Sequence, residues 1–144
     1  MTGLPEPDAF TRTYWNAAAE GRLLIRRCLA TGCGAAHHYP REFCPHCWSE
    51  EVVWEQAAGH ATLYTWSVVH ANDLRPFAGR VPYVAAVVDL AEGPRMMTEV
   101  VGCAHDALCV GMDLRVCFRP AAAGGEIAIP VFRPARAAPP PLLE

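Results

Sequence analysis

Four cysteines in two close pairs constrain this chain more than any other feature. They read Cys28-Leu-Ala-Thr-Gly-Cys33-Gly34 and, ten residues on, Cys44-Pro-His-Cys47. Two such pairs separated by a short span supply the four thiolates of a tetrahedral metal site, each sulfur about 2.3 Å from the ion. Gly34 and Pro45 suit the tight turns that aim backbone amides at sulfur. The spacing predicts a zinc ribbon with Cys28, Cys33, Cys44 and Cys47 as ligands, and iron is the alternative because thiolates suit both metals. A site closed by four thiolates keeps no open position for chemistry, so this metal is structural.

The flanking residues predict what the ribbon is attached to. Residues 8–21 read as a helix, with Phe10, Tyr14, Ala17 and Ala18 at helical spacing, Asp8 as cap and Gly21 as stop. Its aromatics, Trp15 among them, either pack on their own chain or form an arm that docks on a partner. Leu23–Arg27 reads as the strand entering the first knuckle and Val52–Trp54 as the strand leaving the second. Residues 57–134 are richer in β-branched and aromatic residues. Strands are predicted at 59–70, 83–90, 95–101, 113–118 and 126–132, with Glu92-Gly93 as a hairpin turn and a short helical link over 104–110. In the first of these strands Ala61, Leu63, Thr65, Ser67 and Val69 alternate with Thr62, Tyr64, Trp66 and Val68. Five short strands with a link after the third outline an OB-fold barrel. The expected fold is therefore mainly β: an N-terminal helical arm (1–21), a rubredoxin-like zinc ribbon (22–56), a five-stranded OB-fold barrel (57–134) and a Pro-rich flexible tail (135–144).

Charge and cysteine content narrow the setting. The net charge is −3, and residues 57–136 carry seven Arg against seven Asp or Glu, so no basic stripe for nucleic acid stands out. All twelve basic residues are Arg, as genome composition alone would produce. No apolar run approaches the roughly 18 residues of a membrane helix. Met1 to Asp8 lacks the basic start and apolar core of a signal peptide, so the seven cysteines are expected in the reducing cytoplasm. Cys103, Cys109 and Cys117 are expected to be reduced and mostly buried.

Several phrases together resemble one family. They are Leu24 to Cys28, Pro40-Arg41-Glu42-Phe43-Cys44-Pro45-His46-Cys47, Gly59 to His70, Pro82-Tyr83-Val84, Leu90-Ala91-Glu92-Gly93-Pro94-Arg95 and Pro130-Val131-Phe132. Over roughly residues 10–134 the chain is similar to the DUF35 family, in which a rubredoxin-like zinc ribbon precedes an acyl-CoA-associated OB-fold of the ChsH2 or thiolase-accessory type. One departure is the first knuckle, with four residues between cysteines where the family usually has two, so that loop must bulge and His37 or His38 is a substitute ligand to consider. The resemblance implies a non-catalytic accessory subunit in lipid or polyketide metabolism. It would bind or shield acyl-CoA and form a hetero-oligomer with a thiolase-superfamily enzyme (acyltransferase, thiolase or retro-aldolase) or a hot-dog-fold enoyl-CoA hydratase. An independent acyl-CoA-binding module and a nucleic-acid-binding OB-fold are the alternatives.

For the ligand, His70, Asp73, Arg75, Phe77, Arg80 and Tyr83 fall in or beside the loop between the first two barrel strands, a loop that OB-folds often use. Arg75, Arg80 and Arg95 are phosphate candidates, and Phe77 or Tyr83 could stack on adenine, although an ion pair with Glu92 or Glu99 would also explain Arg95. Cys103, two residues before His105, is the one nucleophile worth weighing, and no orienting group or oxyanion motif accompanies it.

Overall fold

The computed structural model describes residues 4–122 and 125–135. The Pro-rich tail expected over 135–144 lies, apart from its first residue, outside the described residues. Helix α1 spans Arg12–Ala19, shorter at its start than the sequence suggests. Asp8 does not cap it directly. Its Oδ1 accepts from the Phe10 and Thr11 amides at 2.9 and 2.7 Å, forming a turn that delivers the chain to Thr11. At the other end Gly21, at φ +81, carries the closing turn, in which the amides of Gly21 and Arg22 return to the carbonyls of Ala18 and Ala17. Tyr14, Ala17 and Ala18 face inward.

The ribbon is a three-stranded antiparallel sheet of β1 (Leu24–Cys28), β2 (Ala36–His37) and β3 (Val52–Gln56), ordered β2-β1-β3. The two-residue β2 is too short to leave a periodic signal, and pairing of Arg26 with His37 defines it. Arg26 is buried within this sheet. Its guanidinium donates to the carbonyls of Arg41 and Val52 and lies 5.2 Å from the centre of the Phe10 ring and 4.6 Å from that of Trp54. The aromatics of the N-terminal segment thus pack on their own chain.

The barrel is closed, in the order β4-β5-β6-β8-β7, from β4 (His60–Val69), β5 (Tyr83–Leu90), β6 (Arg95–Val100), β7 (Asp113–Pro120) and β8 (Ala128–Pro134). Closure comes from β4 against β7 and from a parallel contact of Val100 with Phe132. This is the OB-fold topology. Between β6 and β7 the expected helical link is a single 3-10 turn, His105–Ala107.

The alternation along β4 breaks. A bulge at Tyr64 shifts the register between Leu63 and Thr65, so Ala61 and Leu63 point into the core but Trp66 and Val68, not Thr65 and Ser67, do so beyond it. Gly59 enters the barrel at φ +87 with its carbonyl bonded to the Val116 amide, and a Cβ there would lie 2.8 Å from Val116 Cγ1. Leu63, Val88, Leu114 and Phe132 fill the barrel and form one core with Tyr14, Leu23 and Ile25 of the helix and ribbon.

The expectation of mostly buried spare thiols is corrected. All seven cysteines are free thiols, but Cys103 and Cys117 are only half-buried and Cys109 is exposed. In β7 the inward positions go to Leu114, Val116 and Phe118, leaving Cys117 on the opposite face. After the 3-10 turn it is Leu108 that plugs the core, and Cys109 follows it onto the surface.

Candidate functional site

The two knuckles bring Cys28, Cys33, Cys44 and Cys47 together, with all four sulfurs within 4.8 Å of one another. Cys28 and Cys47 sulfurs lie 3.6 Å apart, Cys33 and Cys44 sulfurs 3.7 Å. A tetrahedron with metal–sulfur bonds of about 2.3 Å has edges of about 3.8 Å, so the spacing fits one ion. The amides of Ala30 and His46 point at the sulfurs of Cys28 and Cys44, both at 3.4 Å. The wide first knuckle does bulge: Cys33 bonds back to the Ala30 carbonyl, and the extra residues Thr31 and Gly32 stand out in solvent. His37 and His38 stay outside the sulfur cluster.

Thiol acidities point to a cation as well. Against burial, the Cys47 and His46 amides bring Cys44 down to about 7. Cys47 behaves oppositely. Although the Ser49 amide lowers it, burial and the three neighbouring sulfurs push it up to about 12. Cys44 forms a thiolate readily, and Cys47 needs a neighbouring positive charge to do so.

A second feature is a groove of about 640 Å³ between helix, ribbon and the outer face of the barrel. Tyr14 and Trp15 come from α1, Tyr39 and Pro40 from the ribbon, and Met97 and Ile129 from the barrel. Its wall is mostly apolar. Tyr14 Oη and His38 Nε2 meet at 3.2 Å in its depth. Burial first, and then His37, pushes the His38 imidazole down to about 4, so it is neutral at ordinary pH.

Three of the five predicted ligand residues gather at one end of this groove. The Phe77 and Tyr83 rings lie 6.1 Å apart, and the Arg80 guanidinium sits 5.9 and 5.7 Å from their centres. Phe77 and Tyr83 line the groove, and the Tyr83 hydroxyl accepts from Asn72. Arg80 is ion-paired to Glu99, which also takes Arg119 at 3.3 Å. Arg75, His70 and Asp73 are exposed and line neither the groove nor the cleft described below. Arg95 stands apart, at the far end of the β5–β6 hairpin. Its ion-pair partner is Asp89, at 2.8 Å, instead of Glu92 or Glu99, because Arg95 and Asp89 are register neighbours. Cys103 Sγ donates to the Ala104 carbonyl and has no contact with His105 that would activate it. Sequence reasoning missed Glu99 and Arg119 as groove residues. The period-2 pattern of β6, which sets Met97 and Glu99 on the face opposite Met96, was the available signal.

Two adjoining family models match residues 15–119: the rubredoxin-like zinc ribbon domain of ChsH2 over residues 15–53 and its C-terminal OB-fold domain over residues 54–119. The chain belongs to the ChsH2/DUF35 family. A DUF35 domain-containing scaffold protein of Methanocaldococcus jannaschii is 32% identical over 114 residues, covering 78% of this chain and 79% of that protein. A probable enoyl-CoA hydratase alpha subunit of Thermomonospora curvata is 38% identical over 122 residues, 85% of this chain, but this chain spans only 36% of that subunit's length. Among solved structures, the Ltp2-ChsH2(DUF35) aldolase superposes with a TM-score of 0.78 at 35% identity, over 92% of this chain and 100% of the matched chain. No described helix is long and apolar enough to cross a membrane.

Proposed function

We propose that this DUF35 protein is a non-catalytic accessory subunit of an acyl-CoA-processing enzyme. Its groove would receive or shield the acyl chain, and its ribbon would dock on a thiolase-superfamily enzyme or a hot-dog-fold enoyl-CoA hydratase. The observation that carries this reading is the full-length match to the ChsH2 chain of an aldolase complex. The geometry supports it. The sulfur cluster has no open coordination position, and the groove is an apolar trough with an aromatic and cationic end at Phe77, Tyr83 and Arg80.

The ion is proposed to be zinc, which four thiolates hold as a structural centre. Elemental analysis should find one zinc per chain, and iron in its place would correct the metal without touching the fold. Co-expression with a thiolase-superfamily enzyme or hot-dog-fold hydratase from the same genome should yield one stable complex. A lone monomer in that experiment sinks the accessory reading, and tight binding of CoA esters by that monomer would point to an independent module.

A further inference from the structure

A second cleft, of about 380 Å³, opens between the ribbon segment 36–46 and the β5–β6 turn. We propose that it binds the phosphate of an ionised phosphate ester or diphosphate. His37, Tyr39, Arg41, His46 and Arg95 line it, facing Gly93 and Pro94. No Asp or Glu lines it, although the chain as a whole carries net charge −3.

Its donors are held ready. Asp89 occupies only Nε of Arg95, and the Tyr64 ring lies 3.7 Å from the guanidinium carbon, so the group is fixed while both Nη atoms are unspent among the described residues. Arg41 is exposed and makes no ion pair among the described residues. Two such guanidiniums suit the bidentate geometry of phosphate oxygens. The strongest pointer is His37. It is 7% exposed, and neither ring nitrogen makes a well-formed hydrogen bond, the Arg41 carbonyl being only a marginal acceptor for it. Leaving a buried polar group unpaired costs about 1–3 kcal/mol, a cost that an anion oxygen accepting from this ring would offset. Burial first, and then the Arg26 charge, holds His37 below its ordinary range, while the Arg41 carbonyl, already engaged by Arg26, pulls the other way. The neutral ring still donates one N–H.

His38 and Tyr39 line both this cleft and the apolar groove. An amphiphile with its chain in the groove would therefore place its phosphate end in the cleft. That step rests on the acyl-CoA reading, whereas the cleft itself does not.

Titration calorimetry on the metal-loaded full chain separates the two. Inorganic pyrophosphate and adenosine 3′,5′-bisphosphate probe the cleft, and acyl-pantetheine, which carries no phosphate, probes the groove. Bisphosphate binding should weaken with salt and fall by about tenfold or more in Arg41→Gln and in Arg95→Gln, both surface changes that leave the core intact. Acyl-pantetheine binding should not respond to either substitution. Equal bisphosphate affinity in wild type and both variants, or none in wild type, overturns the phosphate cleft. Arginine-dependent bisphosphate binding without acyl-pantetheine binding upholds the cleft and overturns the groove reading.

Discussion

Two buried positions show how single residues carry this fold. Gly59 combines a left-handed φ of +87 with a 2.8 Å approach to Val116. Gly59→Ala is therefore expected to destabilise by about 2–4 kcal/mol, backbone strain and overpacking acting together, as read from a shifted midpoint in chemical denaturation. A loss under about 0.5 kcal/mol would mean that β7 yields easily. His38 couples stability to pH. Its folded pKa near 4 lies below the ordinary 6.5, so the unfolded chain binds the extra proton first. Its contribution is full above pH 6.5 and is lost progressively as pH falls from about 6.5 to 4, by up to about 3 kcal/mol. Acid also releases metal from thiolates, so the comparison that isolates His38 is His38→Gln against wild type. The variant should be less stable at pH 7.5 and should show a shallower decline between pH 6.5 and 4.5. Parallel stability curves would reject the assignment.

At the scale of elements, β1 is anchored in the shared core, whereas β2 and the knuckles are expected to lean on the metal that the four thiolates would hold. β2 has two residues, and the sheet that β1 makes with β2 and β3 is bounded by the knuckles. Cys44→Ser, or a strong chelator, should abolish stoichiometric metal and unfold the ribbon. Far-ultraviolet circular dichroism and protease cleavage within residues 29–51 would report this, and retention of native protection there would refute it. The knuckles, the five barrel strands and the hairpin at Gly93 were legible in the sequence because each has a local signature: cysteine spacing, period-2 runs, a turn dipeptide. Features set by tertiary contact were not legible. The bulge at Tyr64 leaves Thr65 and Ser67 outside and brings Trp66 in, and nothing local marks it. The helical link collapsed to one 3-10 turn because only Leu108 has a core position to fill. Arg80 and Arg95 looked alike as phosphate candidates until register gave one to Glu99 beside the groove and the other to Asp89 beside the cleft.

Across the whole molecule, ribbon and barrel share a core yet present different surfaces. Of the eight large apolar side chains left in solvent among the described residues, Leu29, Tyr39, Trp48 and Val53 lie on the ribbon, and Tyr64, Leu74, Met97 and Val110 on the barrel and its loops. Trp48 is 74% exposed, stacks on Phe43 at 5.4 Å, and occupies φ +66, a conformation that disfavours a bulky residue. A strained, solvent-facing indole beside the second knuckle contributes little to the monomer, which is the profile of an anchor for a partner surface. Trp48→Gly separates the roles. Glycine relieves the φ while losing one exposed ring stack, so monomer stability should change by less than about 1 kcal/mol and metal content should hold. Association with the co-expressed enzyme should weaken by about 2 kcal/mol or more, some thirtyfold in Kd. Ala85→Phe, which fills the groove from β5, should do the reverse: it should block acyl-pantetheine while leaving the complex intact. If Trp48→Gly leaves association unchanged, the partner reaches the protein through another face and the ribbon serves only to build the groove wall.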